Sequence, residues 1–202
     1  MAEDEYILDT PTVRQFIGHV RAALASAPPH TALDMLRPAF ADLLANQEWL
    51  PLAYQQPAIA GGMGGGIATW LLYRAAGGDL SLFSLVVPPG AATPVHDHLA
   101  WGLVGLYAGE QAEEVFRRRA GGDESHAPLD LVARNHLRPG DFYVLHPPEG
   151  DIHRVVTTSP VASASIHLLG NDTGCVWRHV YTPEDGGVRA FRSGWSNMPC
   201  RD

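Results

Sequence analysis

Apolar residues recur on two different periods along this chain. Over the first sixty positions the period is helical. Val13, Phe16, Ile17 and Val20 follow the i, i+3, i+4, i+7 spacing of one buried face. Asp9-Thr10-Pro11 supplies an N-cap candidate with proline at the first helical position. Ala27-Pro28-Pro29-His30 breaks that helix, and Leu33, Leu36, Phe40, Leu43 and Leu44 mark a second apolar stripe. Pro38 limits where the second helix can begin. Both stripes read as packing surfaces.

From about residue 67 the period shortens. Ile67–Tyr73, Leu80–Val87, Trp101–Tyr107, Ala112–Phe116, Leu129–Ala133, Phe142–Leu145, His153–Thr158, Ala162–Leu169 and Val176–Tyr181 are short β-rich runs separated by Gly, Pro and Asp. Many short strands without long helical patterns between them predict an antiparallel sandwich or barrel. The expected organisation is a helical segment over 1–60 and a β-barrel domain over 61–202. The glycine run Gly61–Gly66 lacks the Gly-Lys-Ser/Thr ending of a phosphate loop and precedes a strand, so it reads as a flexible connection and candidate lid.

Composition changes this picture little, with one exception. The chain has 202 residues, 46% hydrophobic and 18% charged, which excludes intrinsic disorder, collagen and coiled coil. A net charge of −8 with no basic cluster longer than Arg117-Arg118-Arg119 argues against nucleic acid or an anionic membrane as partner. The acidic start Met1-Ala2-Glu3-Asp4-Glu5 does not read as a targeting peptide, so a cytoplasmic protein, monomer or homodimer, is expected. In that setting Cys175 and Cys200 are expected as reduced thiols. The exception is histidine: eight of ten lie between His96 and His179. Histidine is a common transition-metal ligand.

His96 and His98 stand at the i, i+2 spacing that puts both on one face of a strand, with Asp97 pointing away. A second segment, Arg138-Pro139-Gly140-Asp141 through Pro148-Glu149-Gly150-Asp151-Ile152-His153, ends on another histidine. Together the two resemble the paired motifs of the cupin superfamily. Gly90, His96 and His98 match the first motif, and Pro148, Gly150 and His153 match the second. The spacing from Gly140 is two residues longer than in the family, and Thr157 stands in place of its asparagine. The resemblance covers about residues 67–182 and implies a double-stranded β-helix barrel with a metal inside its mouth, preceded here by the α-helical segment. The glutamate position of the first motif falls at Gly102 or Leu103, which leaves three neutral ligands, His96, His98 and His153. Such a site favours an anionic partner in its open positions.

Within the cupins, this set is similar to that of the thiol dioxygenases, the cysteine and 3-mercaptopropionate dioxygenase family. Thr93-Pro94-Val95-His96-Asp97-His98 with Trp101-Gly102-Leu103, and Gly150-Asp151-Ile152-His153-Arg154-Val155, carry the likeness. Ser165-Ile166-His167 resembles the start of the family's Ser-x-His-x-Tyr relay. The resemblance implies Fe(II), dioxygen and a small carboxylated thiol that becomes a sulfinic acid. It gives Ser165 and His167 catalytic roles and Arg178 the substrate carboxylate. The sequence departs at Leu169, where the family has tyrosine, and at Thr69, where it has a carboxylate-binding arginine or glutamine. Tyr73, Tyr143 and Tyr181 are candidates to replace the tyrosine, and Arg74 and Arg154 are alternative anchors. Asp97 and Asp151 flank ligands and are candidates to orient them. Two other functions fit the same histidines: a carbon–carbon-cleaving cupin dioxygenase, and a non-redox metal-binding cupin or isomerase.

Overall fold

The computed structural model describes residues 3–58 and 63–201. Gly61 and Gly62 of the glycine run lie outside the described residues. Helix α1 (Pro11–Ser26) begins as its sequence predicts: the Thr10 hydroxyl caps the Val13 amide at 3.3 Å and proline opens the first turn. Helix α2 (Pro29–Ala45) starts directly after the Pro28-Pro29 break and carries Pro38 inside it. The proline therefore does not set the start of this helix. Pro29 does, and the buried stripe from Ala32 to Leu44 runs past Pro38.

Among the described residues, twelve strands form two six-stranded antiparallel sheets. The first holds, in spatial order, β1 (Glu5–Tyr6), β2 (Ala68–Arg74), β3 (Ser81–Val87), β10 (Ser163–Leu169), β5 (Gly102–Ala108) and β8 (Phe142–Leu145). The second holds β12 (Gly187–Phe191), β11 (Arg178–Thr182), β4 (Val95–His96), β9 (Ile152–Thr157), β6 (Gln111–Arg118) and β7 (Leu129–Leu137). Three of these strands, β1, β4 and β12, are absent from the hydrophobic pattern. Two of them are only two residues long, too short for any period to register.

Strand parity decides what faces the site. Leu72, Leu82, Leu103, Ile166 and Leu168 point outward from the first sheet and pack beneath α1 and α2 with Phe16, Ile17, Phe40 and Leu44. Their neighbours Leu71, Phe83, Val104 and Leu169 point inward and join a second cluster with Val155 and Trp195. Because the helices cover the outer face, β3 and β10 are buried on both sides and read as continuous apolar runs. The inward parity of β10 carries Ser165 and His167.

After the Gly64–Gly66 turn, where all three glycines have positive φ, β2 enters the first sheet. At the other end, residues 192–201 fold back beside β2, bonding along Thr69 and Leu71. This return brings together two cysteines 25 residues apart in sequence. Cys175 and Cys200 are joined by a disulfide with Cα atoms 5.4 Å apart. The expectation of two reduced thiols is thus overturned: it rested on cysteine count and an inferred compartment, and it could not see the terminus returning to the Cys175 loop. No helix among the described residues is long and apolar enough to cross a membrane.

Candidate metal centre

His96 sits on β4, flanked in register by Val180 of β11 on one side and His153 of β9 on the other. His98 follows just past the end of β4. The three imidazoles meet with ring centroids 4.9–5.0 Å apart and ligand nitrogens within 4.8 Å of one another. All three residues are buried.

Each Nδ1 already has a partner, which leaves the three Nε2 atoms to converge. His96 Nδ1 lies 2.9 Å from the Pro94 carbonyl. His98 Nδ1 lies 3.2 Å from Asp151 Oδ1. His153 Nδ1 lies 2.8 Å from Glu113 Oε1 and 3.2 Å from the Tyr143 hydroxyl. This is the arrangement that fixes tautomer and ring orientation in metal-binding histidines. Burial, reinforced by repulsion from the other imidazoles and Arg178, holds His96 well below its ordinary pKa; burial likewise lowers His98. Neutral imidazoles are the form that binds a cation. The donor set therefore fits a transition metal such as Fe(II).

Asp151, weighed from sequence as a flanking residue, has a definite task. Its two carboxylate oxygens accept the amides of His98 and Leu99, each at 3.0 Å. Leu99 has φ +54°, a conformation costing about 1–2 kcal/mol for a residue with a side chain. The Asp151 clamp holds that strained turn and so aims His98. Asp97 points away from the metal face, as expected. Its carboxylate accepts from His179 and from the Tyr181 hydroxyl at 2.7–2.8 Å.

Glu113 was not foreseen. It lies on β6, 2% exposed, between His153 and the Asn135 amide, which donates to Oε2 at 2.8 Å. Burial pushes its carboxyl up, but His153, Asn135 and Tyr143 together pull it below the ordinary value, so it stays ionised. The signal was present in the sequence: within Ala112–Phe116, Glu113 shares a strand face with Val115.

The position where the resembling motif carries a glutamate has no room for one. A Cβ on Gly102 would lie 2.2 Å from the Leu168 carbonyl oxygen, so no side chain fits there, and Leu103 faces the helices.

Beside the histidines lies a narrow cavity of about 10 Å3, lined by His96, His98, His167, Arg178, Thr69 and Trp195 among others. A cavity of that size holds about one water, so a larger ligand enters only as its lining gives. His167 Nε2 is 2.9 Å from the Ser165 hydroxyl, its ring stacks on Phe83 at 4.6 Å, and its Nδ1 is buried without a partner. Burial, with the nearby histidines and Arg178, keeps it neutral far below its ordinary pKa.

Arg178 is 1% exposed. It donates to the Asp97 carbonyl at 2.8 Å and to Ser193 Oγ at 3.1 Å, while its Nε is buried and unpartnered. Among the described residues no carboxylate lies within ion-pair distance of it. Burial lowers its pKa to about 10, still charged at neutral pH.

The other candidates are engaged elsewhere. Arg74 bonds Glu5 and the Pro199 carbonyl, and Arg154 bonds Glu114. Tyr73 bonds Asp4 and Arg21, and Tyr181 bonds Asp97. Tyr143 reaches His153, but on the Nδ1 side that faces Glu113. Thr69 donates its hydroxyl to the Gly194 carbonyl at 2.9 Å. Leu169 is fully buried in the inward cluster.

No family model matches the chain. Among solved structures it is similar to an uncharacterised conserved protein with a double-stranded β-helix domain from Klebsiella pneumoniae, at 14% identity over 68% of this chain and 90% of that one, TM-score 0.41. It is also similar to a Cupin 2 conserved barrel domain protein from Salinispora arenicola, at 19% identity over 55% and 82%, TM-score 0.39. An oxalate oxidase in complex with glycolate matches at 15% identity over 61% of this chain and 53% of that one, TM-score 0.40.

By its own topology, the fold is a cupin-type double-stranded β-helix barrel with an N-terminal helical pair packed on one sheet. The centre inside it is a buried three-histidine set able to hold a metal.

Proposed function

We propose that this chain is an iron-dependent thiol dioxygenase that converts a small carboxylated thiol into its sulfinic acid. The observation that carries this reading is a cavity with neutral metal-binding imidazoles at one side and a buried, carboxylate-free guanidinium on its lining. A buried cation without an anion partner is costly unless a ligand supplies one.

His96, His98 and His153 would hold the iron, which when bound supplies the one-electron chemistry that lets dioxygen react with a thiolate. The balance is R–SH plus O2 giving R–SO2H: sulfur is oxidised by four electrons, dioxygen is reduced, and both oxygen atoms end on sulfur. Arg178 binds the carboxylate and so fixes the distance at which the sulfur is presented. Ser165 orients His167 through Nε2, and the free Nδ1 of this neutral imidazole takes the thiol proton. Phe83, Leu85 and Trp195 exclude water from the reacting atoms. Three uncharged ligands leave the dication uncompensated on the cavity side, which favours thiolate over thiol.

The test combines bound-metal analysis with oxygen uptake across a panel of thiols. Iron-dependent uptake matched one-to-one by sulfinate is the expected result. Arg178→Ala should raise KM for 3-mercaptopropionate about tenfold to a hundredfold, the loss of one charge-assisted contact, and change 2-mercaptoethanol far less. Zinc or nickel in the site with no oxygen uptake, or cleavage of a diketone instead, would replace this reading with one of its alternatives.

A further inference from the structure

The last ten described residues form a strap fastened along its whole length. Ser193 Oγ accepts from Arg178. The Gly194 amide donates to the Gly174 carbonyl at 2.8 Å, and the Gly194 carbonyl accepts from Thr69. Trp195 Nε1 donates to Asp172 Oδ1 at 2.9 Å. Ser196 and Asn197 exchange bonds with Thr69 and Leu71, Pro199 accepts from Arg74, and Cys200 is linked to Cys175.

Only one large side chain of this strap enters the cavity. Trp195 is 8% exposed, lines the pocket, and meets Phe83 edge-on with centroids 5.1 Å apart. Phe83 in turn stacks on His167. The indole also lies against Gly174, where an added Cβ would sit 2.4 Å from Trp195 Cε2. The indole therefore touches the Phe83 ring and the Gly174 backbone and makes a hydrogen bond at its nitrogen. It cannot swing aside without breaking these contacts.

We infer that Trp195, pinned by the C-terminal strap, is the specificity-determining wall that limits the substrate's chain length. This rests on the reading that Arg178 receives a carboxylate in this cavity. Arg178 and Trp195 line the same cavity, so the chain of a carboxylate held at Arg178 runs in the space that the indole bounds. Thr69, which also lines the cavity, holds the strap through the Gly194 carbonyl and so keeps the indole in place. Longer carboxylates are excluded by shape, and removing the indole opens the space they need.

The test is calorimetric binding of straight-chain carboxylates, propionate and hexanoate, with the metal-loaded protein, alongside oxygen uptake with thiols of matching length. Carboxylates contain no thiol, so a failure of the thiol chemistry leaves the length reading measurable. In the wild type hexanoate should bind at least about tenfold more weakly than propionate, although its three extra methylenes would each add about fourfold if accommodated. Trp195→Ala should gain about tenfold or more for hexanoate, with propionate changed less than about threefold. Trp195→Phe should fall between the two, and it carries the test if the alanine variant does not fold. An unchanged preference in the folded variants, or an equal loss for both lengths, would overturn the inference.

Discussion

Glu113→Gln tests whether the centre depends on a carboxylate that touches no metal. The substitution keeps shape and removes one charge. In the wild type Oε1 receives the His153 Nδ1 proton at 2.8 Å while Oε2 receives the Asn135 amide at 2.8 Å. A glutamine can serve one of these donors with its carbonyl but then presents an NH2 group to the other. The charge-assisted bond to His153, worth about 1.5–3 kcal/mol, becomes an ordinary one worth about 1 kcal/mol. His153 loses the charged partner that fixes its tautomer and ring orientation, and losses of this kind run from about tenfold to a hundredfold in metal affinity. That corresponds to about 1.4–2.7 kcal/mol. The assay is anaerobic competition for Fe(II) against a chelator of known affinity. Glu114→Gln is the control: its carboxylate bonds Arg134 and Arg154, and it should leave metal affinity unchanged. If Glu113→Gln binds iron within about twofold of wild type while folding normally, the orientation argument fails.

His153→Ala removes the ligand contributed by β9 and leaves a two-histidine pair, so iron should be retained far more weakly after chelation and reloading; full occupancy would refute the three-histidine assignment. Replacing both Cys175 and Cys200 by serine removes a bridge closing a loop of about 25 residues, which should lower stability by about 3 kcal/mol and the melting temperature by about 6–12 °C; an unchanged melting temperature would mean the strap's hydrogen bonds suffice. The metal-free protein should lose stability as pH falls below about 6.5, because the unfolded chain protonates His96, His98 and His167 while burial keeps them neutral in the fold. Each contributes up to about 1.4 kcal/mol per pH unit, and the depressed Glu113 and Asp151 extend the loss as pH falls through their folded values. A flat urea-denaturation profile between pH 7 and 5 would contradict this.

Two pairs two residues apart drew attention in the sequence: strand parity puts Ser165 and His167 on one face of β10, whereas His98 lies past the end of β4 and is aimed by Asp151. Glycine and proline punctuation likewise located most long strands. What stayed hidden depends on contacts between distant segments. Glu113 and His153 are 40 residues apart and meet only because β6 and β9 pair. The role of Thr69 is invisible without Gly194, which is 125 residues away. The Cys175–Cys200 bridge has the same origin: its spacing carries no periodic signal, and only the returning terminus brings the sulfurs together. Pro38 misled for a local reason, since proline's penalty inside a helix was outweighed by an apolar stripe that continues across it.

Charge placement ties these parts into one argument. The carboxylates nearest the histidines, Glu113 and Asp151, both lie behind the imidazoles, against Nδ1 atoms, and neither lines the cavity beside the Nε2 side. Asp97 is turned outward to His179 and Tyr181, giving the cavity only the cationic side chain that its backbone carbonyl holds, Arg178. Anionic groups therefore strengthen the ligands from outside while the interior keeps a guanidinium and, when loaded, a dication. Electrostatic energy in so dry a space rises as the effective dielectric falls, and the two positive centres repel each other unless an anion lies between them. A molecule negative at both ends, thiolate at one and carboxylate at the other, satisfies both at once. A neutral diketone satisfies neither, and a simple carboxylate satisfies only one. Arg178→Met, which keeps bulk and removes charge, should accordingly stabilise the metal-free fold while weakening the carboxylated thiol. If the substitution destabilised that fold, the guanidinium would belong to the architecture rather than to the ligand.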